Sequence, residues 1–387
     1  MTRRPLFLLA ATALALGGCS TISNSLDAIN PFAPSAPKMS PLPELGKSEQ
    51  AAKTLWSVDV GDAKAYDFTP AIVGETVYVA EHKGMLYRLD NGKTTWKIDA
   101  GQPLSAGVGA GAGMLVVGTA KGGVLAFDAE TGKALWQAQV SSEVLATPAV
   151  SSDGMAVRSG DNRIFFLDAR DGARKWLYQR PMPALSVRST GAPVFADRYL
   201  FAGFPGGKLV GLSLQNGAPV WEGTVAQPKG TTELDRVADI VSAPVIDGTQ
   251  ICAVAFQGKV ACFDMGQGGA MVWSRDISSA RGVALDGRYL FVTDDEGVVY
   301  GLDRLSGGSL WKQDKLRNRA VTAPAVRGEV VVVGDAEGYV HFLSREEGAF
   351  LARQKTDGTA IRVAPQRLGE AVLTQSSGGD VSLIGIQ

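Results

Sequence analysis

Seven tryptophans punctuate the chain, Trp56, Trp96, Trp136, Trp176, Trp221, Trp273 and Trp311, at successive spacings of 40, 40, 40, 45, 52 and 38 residues. An eighth equivalent position, without the indole, falls 41 residues further on at Ala352, in Gly348-Ala-Phe-Leu-Ala352. A sustained period near 40 means that one supersecondary unit is repeated, and that each copy buries its apolar face against the next.

Each interval has the same internal order. Thr147-Pro148-Ala149-Val150 recurs as Thr69-Pro70-Ala71-Ile72, Ala192-Pro193-Val194, Ala243-Pro244-Val245 and Ala323-Pro324-Ala325-Val326. A β-branched run follows, such as Val330-Val331-Val332-Val333, then a glycine turn and a strand ending in an acid, as in Gly123-Val-Leu-Ala-Phe-Asp128. A second turn, typified by Thr131-Gly132-Lys133, leads into the strand that carries the tryptophan. Four short strands joined by glycine turns within about 40 residues describe a propeller blade. The units near Ala106 and Arg281 lack the proline and are read as degenerate first strands. The last unit runs out after three strands, and Ala51-Ala-Lys-Thr-Leu-Trp56 supplies the fourth from the other end of the chain. The expected fold is all-β: an eight-bladed β-propeller of four antiparallel strands per blade, closed by pairing the N-terminal strand with the C-terminal blade. Such closure removes two open sheet edges. Each indole is expected to pack between adjacent blades.

The N-terminus reads as an address. A basic start, Met1-Thr-Arg-Arg4, precedes an apolar stretch from Pro5 to Leu16 that is too short to span a bilayer. Leu16-Gly17-Gly18-Cys19 resembles a bacterial lipobox, which implies an acylated Cys19, and Ser20 after it implies delivery to the outer membrane. Residues 1–18 are then the signal peptide, 19–50 the lipidated cysteine with a proline-rich tether, and 51–387 the propeller. The chain would be lipid-anchored in the cell outer membrane, facing the periplasm.

The Ala-Pro, Leu-Asp, Thr-Gly and Trp pattern resembles the quinoprotein (PQQ-dehydrogenase-like) repeat. Joined to a lipobox, a tether and eight blades in under 400 residues, it is similar to the BamB family of lipoproteins in the outer-membrane β-barrel assembly (BAM) machinery. The resemblance implies a non-catalytic scaffold that binds the POTRA domains of BamA and assists folding and insertion of outer-membrane proteins, including contact with unfolded ones. It also points to Gly230-Thr-Thr-Glu-Leu-Asp-Arg-Val-Ala-Asp239 as a signature loop.

That segment stands out on spacing alone. It lies in the longest interval, Trp221 to Trp273, whose excess falls largely between Val225 and Asp239. Leu234 and Val237 are apolar among Glu233, Asp235, Arg236 and Asp239, and an aliphatic anchor beside an arginine within a polar rim is the chemistry of an interaction hot spot. Leu234 and Arg236 are the leading partner-binding candidates. Asp294 and Asp295, in Thr293-Asp-Asp-Glu-Gly297, are candidates for an acidic partner patch or are ordinary turn residues.

Charge is balanced, with 38 basic and 39 acidic residues, so no polycationic face for nucleic acid is implied. Two histidines, His82 and His341, are too few for a histidine metal site and read as surface or groove residues. The related dehydrogenases hold pyrroloquinoline quinone over Ca²⁺ and carry adjacent cysteines. Here no two cysteines adjoin, every tryptophan is assigned to the repeat, and no nucleophile–base pair stands out, so no enzyme activity and no cofactor are expected. The alternatives are a periplasmic quinoprotein-like dehydrogenase or a carbohydrate- or peptidoglycan-binding propeller. The latter needs exposed groove aromatics, for which Phe204 and Tyr178 are candidates. Cys252 and Cys262 flank one hairpin turn and form either a structural disulfide or two buried thiols.

Overall fold

The protein is described here by a computed structural model covering residues 37–45 and 50–387; Cys19 and the signal segment lie outside the described residues. The described residues form eight four-stranded antiparallel sheets. Blades 1 to 7 are consecutive in the chain (71–99, 109–139, 149–178, 194–224, 245–275, 283–313 and 325–355). Blade 8 joins 366–386 to the N-terminal strand Ala52–Asp59, which pairs with Asp380–Ile386 from Ala52↔Ile386 to Asp59↔Asp380. The proline-free units of blades 2 and 6 do form first strands, Gly109–Gly111 and Val283–Asp286.

Burial follows position in the blade. The second strands are enclosed on both faces, Val330–Gly334 for example being buried at every residue, which is why they read as continuous β-branched runs rather than alternating ones. The fourth strands are half exposed: Ala134–Gln139 alternates at its end between exposed and half-buried residues. Eight apolar clusters fill the space between and within neighbouring blades.

The tryptophans lock successive blades. Each of five indoles donates its ring N–H to a carbonyl in the last turn of the following blade: Trp136 to Ala169 (3.0 Å), Trp176 to Leu214 (2.8 Å), Trp221 to Gly269 (3.2 Å), Trp273 to Arg304 (2.7 Å) and Trp311 to Arg345 (2.8 Å). The glycine of that turn is required twice over. At Gly217, φ is +72° and a Cβ would lie 2.6 Å from the Trp176 ring; at Gly269, φ is +78° and a Cβ would lie 2.0 Å from Trp221 Nε1. The Thr-Gly and Trp signals of the sequence are therefore two halves of one joint.

Strand direction alternates, so the molecule has two unlike faces. Connections between blades and turns between second and third strands open on one, the loop face. Tight turns between first and second and between third and fourth strands open on the other, the turn face.

Candidate docking face

The segment 226–244 connects blades 4 and 5 on the loop face. Its apex is a single helical turn with its own cap. Thr232 N donates to Asp235 Oδ2 (3.1 Å), and Asp235 N donates to Thr232 Oγ1 (3.1 Å), a reciprocal Thr-x-x-Asp box. Those bonds, the Thr232 side chain foremost, hold the Asp235 carboxyl below its ordinary range. Gly230, at φ +130°, passes so close that a Cβ would meet Asp235 Cβ at 2.2 Å. Arg236 Nε donates to Gly230 O (3.2 Å), and its Nη1 pairs with Glu233 at 3.3 Å. The Gln257 amide, oriented to donate, reaches Leu234 O (3.1 Å) and Val237 O (2.9 Å) from the next blade. The result is a rigid pedestal with Leu234 on top, 70% exposed.

The base of the loop turns inward. Val237, Ala238, Ile240 and Val241 are buried, so of the two apolar candidates only Leu234 faces solvent. Asp239 is also buried, at 1% exposure. Its Oδ1 accepts from Gly206 N (3.0 Å) and its Oδ2 from Val187 N (2.8 Å). It thus fastens a second loop, 179–193 between blades 3 and 4, to the first. Ser189 Oγ donates to Val241 O (3.2 Å) alongside it. Asp239 is a positioning residue with no oxygen directed at a partner. Its charge also opposes the desolvation of buried Arg158, whose guanidinium burial lowers to about 10.

The second loop is what sequence reading missed. It exposes Met182 and Leu185, and Arg188 beside them pairs with Glu143 (Nε–Oε1 3.0 Å). Its signal was the 45-residue spacing of Trp176 to Trp221, the second longest interval, together with two prolines around Met182.

Asp294 and Asp295 sit on the same face, in the second-to-third-strand turn of blade 6. Asp294 accepts from Glu296 N (3.0 Å), Val298 N (2.8 Å) and the Tyr300 hydroxyl (3.0 Å). Burial foremost, then that carboxylate, pushes the Tyr300 phenol up to about 12. Asp295 accepts from the Ser278 hydroxyl (2.5 Å) and Ala280 N (2.7 Å), while Ser278 Oγ accepts from Gln257 N (2.8 Å). A short hydrogen-bond chain therefore runs from the Leu234 pedestal to Asp295. Asp294 serves its own turn, whereas the exposed Asp295 ties that turn to the connection between blades 5 and 6.

Other sequence candidates fall elsewhere. Cys252 and Cys262 are directly opposite on paired strands, 4.1 Å between Cα atoms, and are bonded. His341, expected near the surface, is fully buried. Its Nε2 lies 2.9 Å from Asp335 Oδ2, and its Nδ1 accepts from Arg353 Nε (3.2 Å). Phe204 is fully buried too, meeting Tyr178 edge-on at 5.6 Å as a wedge between blades 3 and 4 rather than lining a sugar groove. Among the described residues no three His, Cys, Asp or Glu side chains are grouped to hold a metal.

Residues 82–313 and 280–387 match the family model described as outer membrane protein assembly factor BamB. Relatives bearing that name are 42% identical in Bordetella pertussis, over 82% of this chain and 80% of the relative, and 47% identical in Pseudomonas aeruginosa, over 82% of each. The chain belongs to the BamB family. The crystal structure of BamB from Moraxella catarrhalis superposes with a TM-score of 0.81 at 28% identity, covering 86% of this chain and 99% of that one. A quinohemoprotein alcohol dehydrogenase from Comamonas testosteroni superposes with a TM-score of 0.70 at 12% identity over 86% of this chain and 76% of that one, a likeness of fold alone.

Proposed function

We propose that this BamB-family chain is a lipid-anchored, non-catalytic scaffold of the outer-membrane β-barrel assembly complex, and that it docks the periplasmic POTRA domains of BamA through its loop face. The observation that carries the docking surface is the Leu234 pedestal. A 70% exposed leucine is held by main-chain and side-chain bonds within its own loop and by the Gln257 amide of the next blade, so its exposure is built rather than incidental. Exposed Arg236 and Glu233 beside it supply a charged rim, and the coupled loop on the same face exposes Met182 and Leu185. Asp295 extends the rim. The name borne by the relatives, outer membrane protein assembly factor, supports the assembly role, and the lipobox-like segment ending at Cys19 supports anchoring.

Client strands find limited purchase on the blade edges. Every outer strand carries a bulge at the residue before the tryptophan position, as at Leu135 and Val220, where pairing skips from Trp136 to Ala134 and from Trp221 to Pro219. Such bulges blunt an edge against added strands. Contact with unfolded outer-membrane proteins is accordingly the subordinate part of the proposal.

The test is binding to purified BamA POTRA domains. Leu234→Ala combined with Arg236→Ala should weaken it by about 2 kcal/mol or more, some thirtyfold, while Leu305→Ala, an equally exposed leucine on the turn face, should leave it unchanged. Equal affinities for all three proteins would remove the loop from the docking surface. Dye-linked dehydrogenase activity after adding pyrroloquinoline quinone and Ca²⁺ would instead favour the enzyme reading.

A further inference from the structure

The proline-rich segment ahead of the propeller does not hang free where it is described. Met39–Leu45 runs across the loop-face end of blade 7. Ser40 N donates to Arg317 O (3.0 Å), Arg319 Nη1 donates to Ser40 O (2.9 Å), and Arg353 Nη2 donates to Pro43 O (2.7 Å). Ser40, Leu42 and Pro43 are half-buried, while Met39, Pro41, Glu44 and Leu45 face out.

The receiving surface is constructed, and at depth. Arg319 is 2% exposed, with Nε on Asp335 Oδ2 (2.7 Å) and a second ion pair to Glu337. Arg353 is oriented from beneath by His341 Nδ1, which is itself fixed by Asp335. Both guanidinium groups lie against the Tyr339 ring, at 5.9 and 5.8 Å from its centroid. Pro41 and Pro43 have no N–H to offer, so carbonyls are what such a segment presents, and two fixed donors over an aromatic ring match that chemistry. Without the segment, Arg353 Nη2 and Arg319 Nη1 would lose these acceptors.

We propose that this end of blade 7 is an extended-peptide site whose resident ligand is the chain's own Met39–Leu45. The segment acts as a strap fixed at the loop face, the face that carries Leu234, rather than at the turn face. The inference rests on the strap contacts and does not depend on the docking proposal.

Hydrogen exchange on the full-length protein tests it. Ser40 should exchange at least about tenfold more slowly than an unstructured amide, because each hydrogen bond from a charged donor shifts an equilibrium roughly tenfold to a hundredfold. Arg353→Gln should return it to the unstructured rate. So should Leu42→Gly with Pro43→Gly, which changes only the strap and leaves every sheet intact. The exposed Arg367→Gln, on blade 8, should have no effect. Exchange of Ser40 at the unstructured rate in the unaltered protein, or protection that survives the strap substitutions, would overturn the proposal.

Discussion

At Asp239 one carboxylate accepts main-chain amides from two different loops, and at Leu234, five residues earlier, a side chain makes itself available to solvent. Substitution should therefore separate the two roles. Asp239→Ala strands the Val187 and Gly206 amides and leaves Arg158 without its counter-charge, so it should destabilise the fold by about 1–3 kcal/mol and also weaken docking by freeing the second loop. Leu234→Ala should change stability by less than about 0.5 kcal/mol. Thermal unfolding of the two variants, measured beside POTRA binding, checks this. Sequence could not make the distinction: Glu233, Asp235 and Asp239 read alike in a polar loop, and which acid turns inward is decided by amides contributed from positions 187 and 206. His341 was hidden for the same reason, since Asp335 and Arg353 reach it from a turn and a neighbouring strand. Burial holds its pKa below the ordinary histidine value. The unfolded chain then binds a proton more readily than the folded one, so its contribution to stability is complete above about pH 6.5 and is lost as pH falls below that value. Unfolding midpoints measured between pH 7.5 and 5 should fall toward acid, and His341→Gln should flatten that slope; identical slopes would contradict the assignment.

At the scale of the strand and the turn, the sequence was legible because the joint is local and repeated. Tryptophan on one outer strand needs a glycine with positive φ on the next blade's last turn, and both letters recur at fixed positions. Gly217→Ala should cost about 2–4 kcal/mol, from left-handed backbone strain plus the collision with Trp176. Gly74, at φ +63° but with open space around it, should show the backbone cost alone. Comparing the two variants by chemical denaturation isolates the steric part. The cysteine pair is also an element-scale feature. Its register, Cys252 opposite Cys262, brings the Cα atoms to 4.1 Å, but a residue count around a turn does not reveal register, which is why sequence left bond and free thiols both open. Cys252→Ala with Cys262→Ala should lose about 3 kcal/mol, the entropy of closing so short a loop.

The whole ring is less uniform than its repeat. Five consecutive junctions, from blades 2/3 to 6/7, carry a donating indole. At blades 7/8 the position is Ala352, and at blades 1/2 the buried Trp96 ring N–H has no acceptor. Blades 8 and 1 lie between these two junctions, with Trp56 packed against Gly92 where they meet, and blade 8 is also where the two chain ends meet. Local opening should therefore begin around blade 8, and amide exchange there should outpace that of blades 3 to 5; fastest exchange in blade 4 or 5 would argue against the junctions as the source of rigidity. One asymmetry of the molecule bears on function. Of its two faces, the loop face carries the Leu234 pedestal, the coupled 179–193 loop and Asp295, while the turn face offers an exposed leucine of its own at Leu305, 73% accessible. Photo-crosslinking in the assembled complex compares them directly. A photoreactive residue at position 234 should give an adduct with the POTRA region of BamA, and the same residue at position 305 should give none. Adducts from 305, or none from 234, would contradict the scaffold docking described here.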